Sequence, residues 1–432
     1  MSTKVKCIPA DFFVLRTPLL PFDTLVAWSN KLQAPAATPA QLAPALAADR
    51  ATLRAHLREH LAQPVIQEAI FVASPDLHAS LERWLADPDS ERGQRSERAL
   101  VRYFQRMVGR ATPFGLFSGC SLGKVVSSQP PISNPQPPIS QLSLAPQSTY
   151  QRHTRLDMDY LFALTETLNR DPAVQRTLSY RPNSSLYRAA GRGRYAEARL
   201  EGKIRLYHLV AVEETDYLNA TLARAHSGAT FAELAAALLA DDPAIAPEEA
   251  DAYIGELIAS QLLVSTLAPA VTGPEPIHGL IDEARRHAPT AVVAQQLSQV
   301  RAALVAVDAA GLGVDPLAYR AIARQLADLP APVELSRLFQ VDMVKPVAQA
   351  TLGKAVLDEL ICGVELLRRI SNARPDSLAR FREKFSERYE GREVPLVEAL
   401  DDEIGIGFDG ATSADLSPLL DGLHIPVASA EP

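Results

Sequence analysis

The chain has 432 residues, of which 47% are hydrophobic and 22% charged; this is ordinary globular usage, enough for several domains, and it excludes a chain that is disordered or fibrous throughout. Subtracting 51 acidic from 43 basic side chains leaves a net charge of −8, so the surface as a whole is unsuited to coating nucleic acid and only a local basic site could hold a polyanion. Cys7, Cys120 and Cys362 form neither a disulfide framework nor a C-x-x-C zinc pair, and no signal-peptide pattern or long uncharged apolar run occurs, which points to a cytoplasmic protein that does not span a membrane.

In chain order, Asp11-Phe-Phe-Val-Leu-Arg16 is short, aromatic and β-branched and runs into Thr17-Pro18, which predicts a strand with one charge, Arg16, at its end. Leu42, Leu46, Leu53, Leu57 and Leu61 recur at helical spacing, a second helical block covers 75–86, and a third covers 91–110 and stops at Thr112-Pro113. The run 129–149 is dense in Pro, Ser and Gln without periodicity, so 131–150 is expected to be a linker.

Beyond it, 155–168 is expected to be a strand end and a helix, followed by strands at 185–190, 194–200 and 203–212 with turns at Gly191-Arg-Gly193 and Glu201-Gly202. This Gly-x-Gly joins a hairpin and opens no helix, so it is not a dinucleotide motif. A helix with Leu218 and Leu222, a Thr230-capped helix with Phe231, Leu234 and Leu238, a third helix over 248–261 and a closing strand at 262–264 complete a winged-helix-like module over 176–270. The third helix carries Glu248, Glu249, Asp251 and Glu256 and no Lys or Arg, which a DNA backbone would repel; a peptide added as a strand fits it better. After Pro276 helices are expected at 292–309, 316–326, 350–370 and 376–389, interrupted by a strand over 339–342, and 394–432 shows little pattern. The expected fold class is α+β, mixing helices with small antiparallel sheets.

The strongest local signal is Arg102-Tyr-Phe-Gln-Arg106-Met-Val-Gly-Arg110-Ala-Thr112-Pro-Phe-Gly115-Leu-Phe117-Ser118-Gly119. Three arginines spaced by four, with no acid among them, project guanidinium groups from one helix face, as a phosphate site requires; an ordinary solvated basic face is the alternative. Arg92, Arg95 and Arg98 extend the stretch, diluted by Glu91 and Glu97. Arg16, ending an apolar strand, must reach solvent or meet an anion. Arg181, Arg188, Arg192, Arg194, Arg199, Lys203 and Arg205 read first as the polar face of a sheet. No H-E-x-x-H or Gly-rich phosphate loop occurs. Asp157 and Asp159, and Asp342 within a strand, are the acids worth following.

These residues resemble the amino-terminal part of the class I lanthipeptide (lantibiotic) dehydratases and the related peptide aminoacyl-tRNA ligases. The resemblance rests on Phe13-x-x-Arg16-x-Pro18, on Arg106-x-x-x-Arg110-x-Thr-Pro-Phe-Gly-Leu-Phe-Ser-Gly, on Leu156-Asp157-x-Asp-Tyr-Leu161, on Asn183-Ser-Ser-Leu-Tyr187 with Arg194-Tyr195, on Gln340-Val-Asp342, and on Arg392-x-Val-Pro-Leu396 with Asp401 and Gly405-x-Gly407. It implies transfer of glutamate from glutamyl-tRNA, as co-substrate, to Ser or Thr of a ribosomal precursor peptide, without a metal or other cofactor, before a separate domain eliminates glutamate. It further implies that Arg16, Arg106 and Arg110, with Thr112, Asp157 and Asp342, belong to the glutamylation site, that Arg95, Arg98 and Arg102 meet the tRNA, and that the winged-helix-like module holds the leader peptide. The expected division is an arginine-rich subdomain over 1–130, the sheet and peptide-binding module over 151–270, and a mainly helical part of the glutamylation domain over 271–432. Dehydratases continue past this length, so a truncated or split enzyme is expected, with a separate chain supplying the rest of the glutamylation domain and the elimination domain. A non-catalytic leader-peptide-binding partner and a peptide aminoacyl-tRNA ligase are the alternatives.

Overall fold

The computed structural model describes residues 8–126, 140–189, 191–201, 204–371, 377–401 and 404–408. They form an α+β protein of two compact units, one drawn from 1–178 and 266–364, the other from 179–265 and 365–432.

The first unit is organised around a sheet of β1 (Phe12–Pro18), β2 (Ser118–Val126), β3 (Gln141–Leu144), β4 (Gln151–Leu156), β5 (Phe339–Val344) and β6 (Val347–Gly353). β1 runs antiparallel to β2, with Arg16 opposite Cys120 and Pro18 opposite Ser118. On its other edge β2 pairs in parallel first with β5, Val344 opposite Cys120, and then with β6, Thr351 opposite Lys124. β5 is antiparallel to β4 and β6 to β3, so β5 and β6 act as one strand broken at Lys345-Pro346. Proline cannot donate to a ladder; there the Lys345 N–H bonds the Cys120 carbonyl and the Pro346 carbonyl accepts from Ala145.

Alternation decides which face is covered. Arg152, Thr154 and Leu156 of β4 and Val341 and Met343 of β5 are buried, whereas Gln340, Asp342 and Val344 are exposed. The covered face packs on a core containing Trp28, Leu57, Ile70, Trp84, Phe104 and Phe117. Gly123 in β2 is where Phe13 crosses the sheet, because a Cβ built there would lie 2.1 Å from the Phe13 Cζ. Gly123→Ala is therefore expected to cost about 1–3 kcal/mol through forced displacement of the ring, read as a lower urea midpoint at unchanged slope.

Beneath the covered face, helix Pro64–Ala73 brings in Glu68, which is fully buried. Glu68 forms an ion pair with Arg152, accepts from the Tyr319 hydroxyl at 2.9 Å and takes the Gly313 and Val314 N–H groups at 2.6 and 3.2 Å. Arg152 also meets Asp308 at 3.3 Å and donates to the Val307 carbonyl. Asp308 in turn accepts from the Thr154 N–H and hydroxyl at 2.9 and 2.7 Å. Burial pushes the Tyr319 hydroxyl up to about 12, so it stays a donor.

The second unit holds a hairpin sheet of Tyr187–Ala189, Arg192–Glu201 and Ile204–Glu213, and then helices Asp216–Ala225, Phe231–Asp241 and Pro247–Ala259. Ser179–Pro182 lies between Leu263–Ser265 and Ala229–Thr230 in a second small sheet. Thr230 and Glu233 form the capping box that starts the middle helix. Asp401 is buried; it accepts from the Tyr187 hydroxyl at 2.6 Å and pairs with Arg194 at 3.3 Å.

Several expectations change. Of the expected linker 131–150, residues 131–139 lie outside the described residues, but Gln141–Leu144 is a strand and 147–149 a 3₁₀ turn; a four-residue alternation was hidden by the surrounding Pro and Ser. The expected helix at 350–370 begins only at Lys354, since 350–353 pair with β2 and β3. The block 75–86 is two helices, Pro75–Ala79 and Leu81–Ala86. The division at 151–270 does not coincide with the compact units, because β4 and helix Met158–Arg170 join the first one through pairing with β5, a contact between residues far apart in sequence. Cys7, Gly202, Lys203 and 409–432 lie outside the described residues.

Candidate functional site

The arginine cluster stands on helix α1 (Glu91–Gly109). Ser90 caps its start, accepting from the Gly93 N–H at 3.1 Å. Leu100, Phe104, Met107 and Val108 bury one face, with Phe104 stacked on Trp28 at 4.0 Å between ring centroids. That stripe leaves Arg95, Arg98 and Arg102 exposed on the other side. The helix ends one residue earlier than the spacing predicts: Arg110 is extended (φ −115°, ψ 119°) and caps the Arg106 carbonyl at 3.1 Å. Arg110 thus leaves the shared helix face.

The loop that follows is fixed from inside. Leu116 and Phe117 are fully buried, Gly115 takes a positive φ of 52°, and the Ser118 hydroxyl donates to the Thr112 carbonyl at 2.6 Å. Leu19 and Leu20, just past β1, donate to the Phe117 and Met107 carbonyls at 2.9 Å each. These bonds bring the Arg16 end of β1 together with the end of α1, and so gather Arg16, Arg106, Arg110 and Thr112 at one end of the sheet.

Glu97, the acid within the helix, is already engaged: it accepts from Arg54 at 2.6 Å and from the Trp84 indole at 3.1 Å. Arg95 pairs with Glu91, and Arg102 donates to the Arg98 carbonyl at 3.3 Å. Among the described residues no acid is within ion-pairing distance of Arg16, Arg98, Arg102, Arg106 or Arg110. The Arg106 guanidinium carbon lies 4.0 Å from the Phe114 ring centroid, and its Nε is buried without a hydrogen bond. A helix C-terminus favours a cation there, but a desolvated donor without a partner costs free energy that an anion would recover. This end of the sheet can take phosphate oxygens.

The acids divide differently. Asp157 is the N-cap of helix Met158–Arg170, accepting from the Asp159 N–H at 2.9 Å, and Asp159 pairs with Arg337. Asp342 is exposed on β5, opposite His153, and pairs with Arg155 at 3.0 Å. It shares the open sheet face with Arg16, since Arg16 is opposite Cys120, Cys120 is opposite Val344, and Asp342 is two residues before Val344. His153 pairs with Glu275 at 2.5 Å, and Arg155, Gln340 and Glu275 line a cavity of about 270 Å³ beside Asp342. None of His153, Arg155 and Glu275 was singled out by sequence; the only trace is the i, i+2 spacing of His153 and Arg155 on one strand face. Three of the hairpin arginines pair with acids of their own unit, Arg188 with Glu214 at 2.9 Å, Arg194 with Asp401 at 3.3 Å and Arg199 with Glu197 at 2.7 Å.

Among the described residues no group of three or more His, Cys, Asp or Glu is placed to hold a metal ion, and no helix is long and apolar enough to cross a membrane.

Residues 62–422 match the family model described as "Lantibiotic dehydratase, N terminus". The subtilin biosynthesis protein SpaB of Bacillus subtilis is 25% identical over 351 residues, covering 79% of this chain and 32% of SpaB. The tRNA-dependent lantibiotic dehydratase MibB of Microbispora sp. 107891 superposes with a TM-score of 0.66 at 23% identity, covering 92% of this chain and 35% of MibB. The glutamylation domain of TbtB from thiomuracin biosynthesis superposes with a TM-score of 0.51 at 21% identity, covering 84% of this chain and 46% of that one. The chain therefore spans about a third of the length of SpaB and MibB.

Proposed function

Because this chain belongs to the lantibiotic dehydratase amino-terminal family, we propose that it takes part in tRNA-dependent glutamylation of Ser and Thr side chains in a ribosomal precursor peptide, the step that prepares them for dehydration. In that reaction the peptide hydroxyl oxygen attacks the glutamyl carbonyl, the bond from that carbonyl to the tRNA 3′ oxygen breaks, and the hydroxyl proton passes to the departing oxygen. The ester is already activated, so what the protein must supply is orientation and charge stabilisation. Arg16, Arg106 and Arg110, with Thr112 beside them, would hold the polyanionic acceptor end, Arg95, Arg98 and Arg102 would extend that contact, and Asp157 and Asp342 would border the reacting groups.

The observation that carries this reading is Arg106: a guanidinium laid on Phe114, with one buried donor free and, among the described residues, no acid to neutralise it. The precursor peptide has a candidate place in the winged-helix-like module. Strand Ile204–Glu213 pairs on one side with Arg192–Glu201 and, among the described residues, has no strand on the other. Ile204, Tyr207 and Leu209 are exposed along it, so a peptide could be added there as a further strand.

The test mixes the purified chain with precursor peptide and glutamyl-tRNA and reads the intact peptide mass. A gain of one or more glutamyl residues is expected. Peptide binding without any mass gain, with glutamyl-tRNA or with tRNA carrying another amino acid, would overturn the transfer reading in favour of a peptide-binding partner. Gain of a different amino acid would make the chain a peptide aminoacyl-tRNA ligase.

A further inference from the structure

We infer that Lys345 is a positioning residue for Arg16: its side chain crosses under β2 and pins the end of β1, so that the Arg16 guanidinium meets its anion in a fixed place. This rests on the reading of Arg16 as a tRNA contact.

Lys345 is at the break between β5 and β6 and is 2% exposed, unusual for a lysine that has no carboxylate partner among the described residues. Its backbone is held at both ends, the N–H by the Cys120 carbonyl at 2.9 Å and the carbonyl by the Ser121 hydroxyl at 2.6 Å. The alkyl stem passes over Gly119, where a Cβ would come within 2.8 Å of the Lys345 Cγ; any larger residue would block the path. The ammonium then lies 4.7 Å from the Tyr150 ring centroid and donates to the Pro18 carbonyl at 2.7 Å.

Pro18 is two residues from Arg16 on the same strand, and Gly119 closes the Thr-Pro-Phe-Gly-Leu-Phe-Ser-Gly run that follows Arg106 and Arg110. Lys345 itself follows Asp342 by three residues. One side chain therefore ties together three segments that are far apart in sequence and that each carry a candidate site residue. A core needing only volume would be filled better by Met or Leu, because burial disfavours the ammonium and pushes its pKa down to about 8. What the charged amine adds over a hydrocarbon is a directed bond to a carbonyl that has no ladder partner on that side.

The test is a double-mutant cycle read by fluorescence anisotropy of labelled tRNA binding to the full chain, using wild type, Arg16→Ala, Lys345→Met, Lys345→Arg and the Arg16→Ala/Lys345→Met pair. Lys345→Met keeps the stem and its packing and removes only the donor. Tryptophan emission establishes that every variant is folded at the assay temperature. Arg16→Ala and Lys345→Met are each expected to weaken binding about tenfold. The double variant should be no weaker than Arg16→Ala alone, because the lysine acts through the arginine, and Lys345→Arg should recover part of the loss. Unchanged binding in Lys345→Met, or losses that simply multiply in the double variant, would overturn the inference while leaving Arg16 as a contact. Failure of the wild type to bind tRNA would overturn the reading of Arg16, and the inference with it.

Discussion

Glu68→Ala is expected to lower the stability of the first unit by about 3–5 kcal/mol, the largest loss that any single substitution discussed here should cause. The carboxylate is itself fully buried and is the hub on which buried Arg152, the Tyr319 hydroxyl and two half-buried backbone N–H groups all converge. Removing it leaves Arg152 with Asp308 at the longer 3.3 Å contact and takes the acceptor from the half-buried Gly313 and Val314 donors. Glu68→Gln should cost less, since an amide oxygen can still accept from the two N–H groups. The measurement is urea unfolding followed by tryptophan emission, which reports this unit alone because both tryptophans, Trp28 and Trp84, are in its core. A loss below about 1 kcal/mol would show that water or a rearranged Asp308 replaces the carboxylate.

The largest expected effect on activity is at Arg106. Arg106→Ala should lower the initial rate of glutamyl transfer by about 100-fold or more, the scale on which loss of one oriented charge-stabilising donor is felt. Stability should change little, because the stacking lost with Phe114 is offset by removal of a buried donor that has no partner. Arg106→Lys should recover only a minor part of the rate, since an ammonium neither lies flat on the ring nor presents two parallel donors. Arg98→Ala, exposed and further along α1, should instead weaken tRNA binding and flatten its salt dependence with a smaller change in the bound rate. Rates come from the intact peptide mass at timed intervals. An Arg106→Ala rate within about threefold of wild type would remove Arg106 from the site.

The parts legible in the sequence were those whose signal is local. The placing of Arg102 and Arg106 on one helix and the buried stripe of α1 follow from a 3.6-residue period, which carried one residue too far at Arg110, and β5 follows from alternation around Val341 and Met343. Asp157 was visible as an acid but not as a cap, although Asp157-Met-Asp159-Tyr at the start of an apolar helix carries that signal too. Helix Pro64–Ala73 was missed because Pro-Val-Ile-Gln-Glu-Ala-Ile-Phe-Val-Ala is apolar nearly all round and shows no one-sided stripe. Glu68 and Lys345 could not be read as hub and pin, because their partners, Arg152 and Tyr319 in one case and Pro18 and Gly119 in the other, are set by pairing between strands distant along the chain. The grouping of Asp342 with His153, Arg155 and Glu275 has the same origin.

The split pairing of β2 sets a timetable for folding. Its β1 edge can close as soon as both strands exist, but the other edge waits for β5 and β6, about 210 residues later. At roughly 5–20 residues per second that is about 10–40 s of synthesis with an apolar, hydrogen-bond-hungry strand edge uncovered. The whole of 179–265, in the other unit, emerges and can fold within that interval. Nascent chains shorter than about 340 residues are therefore the species most exposed to edge-to-edge association, and the lysine that locks β1, β2 and β5 together is among the last residues of the sheet to arrive.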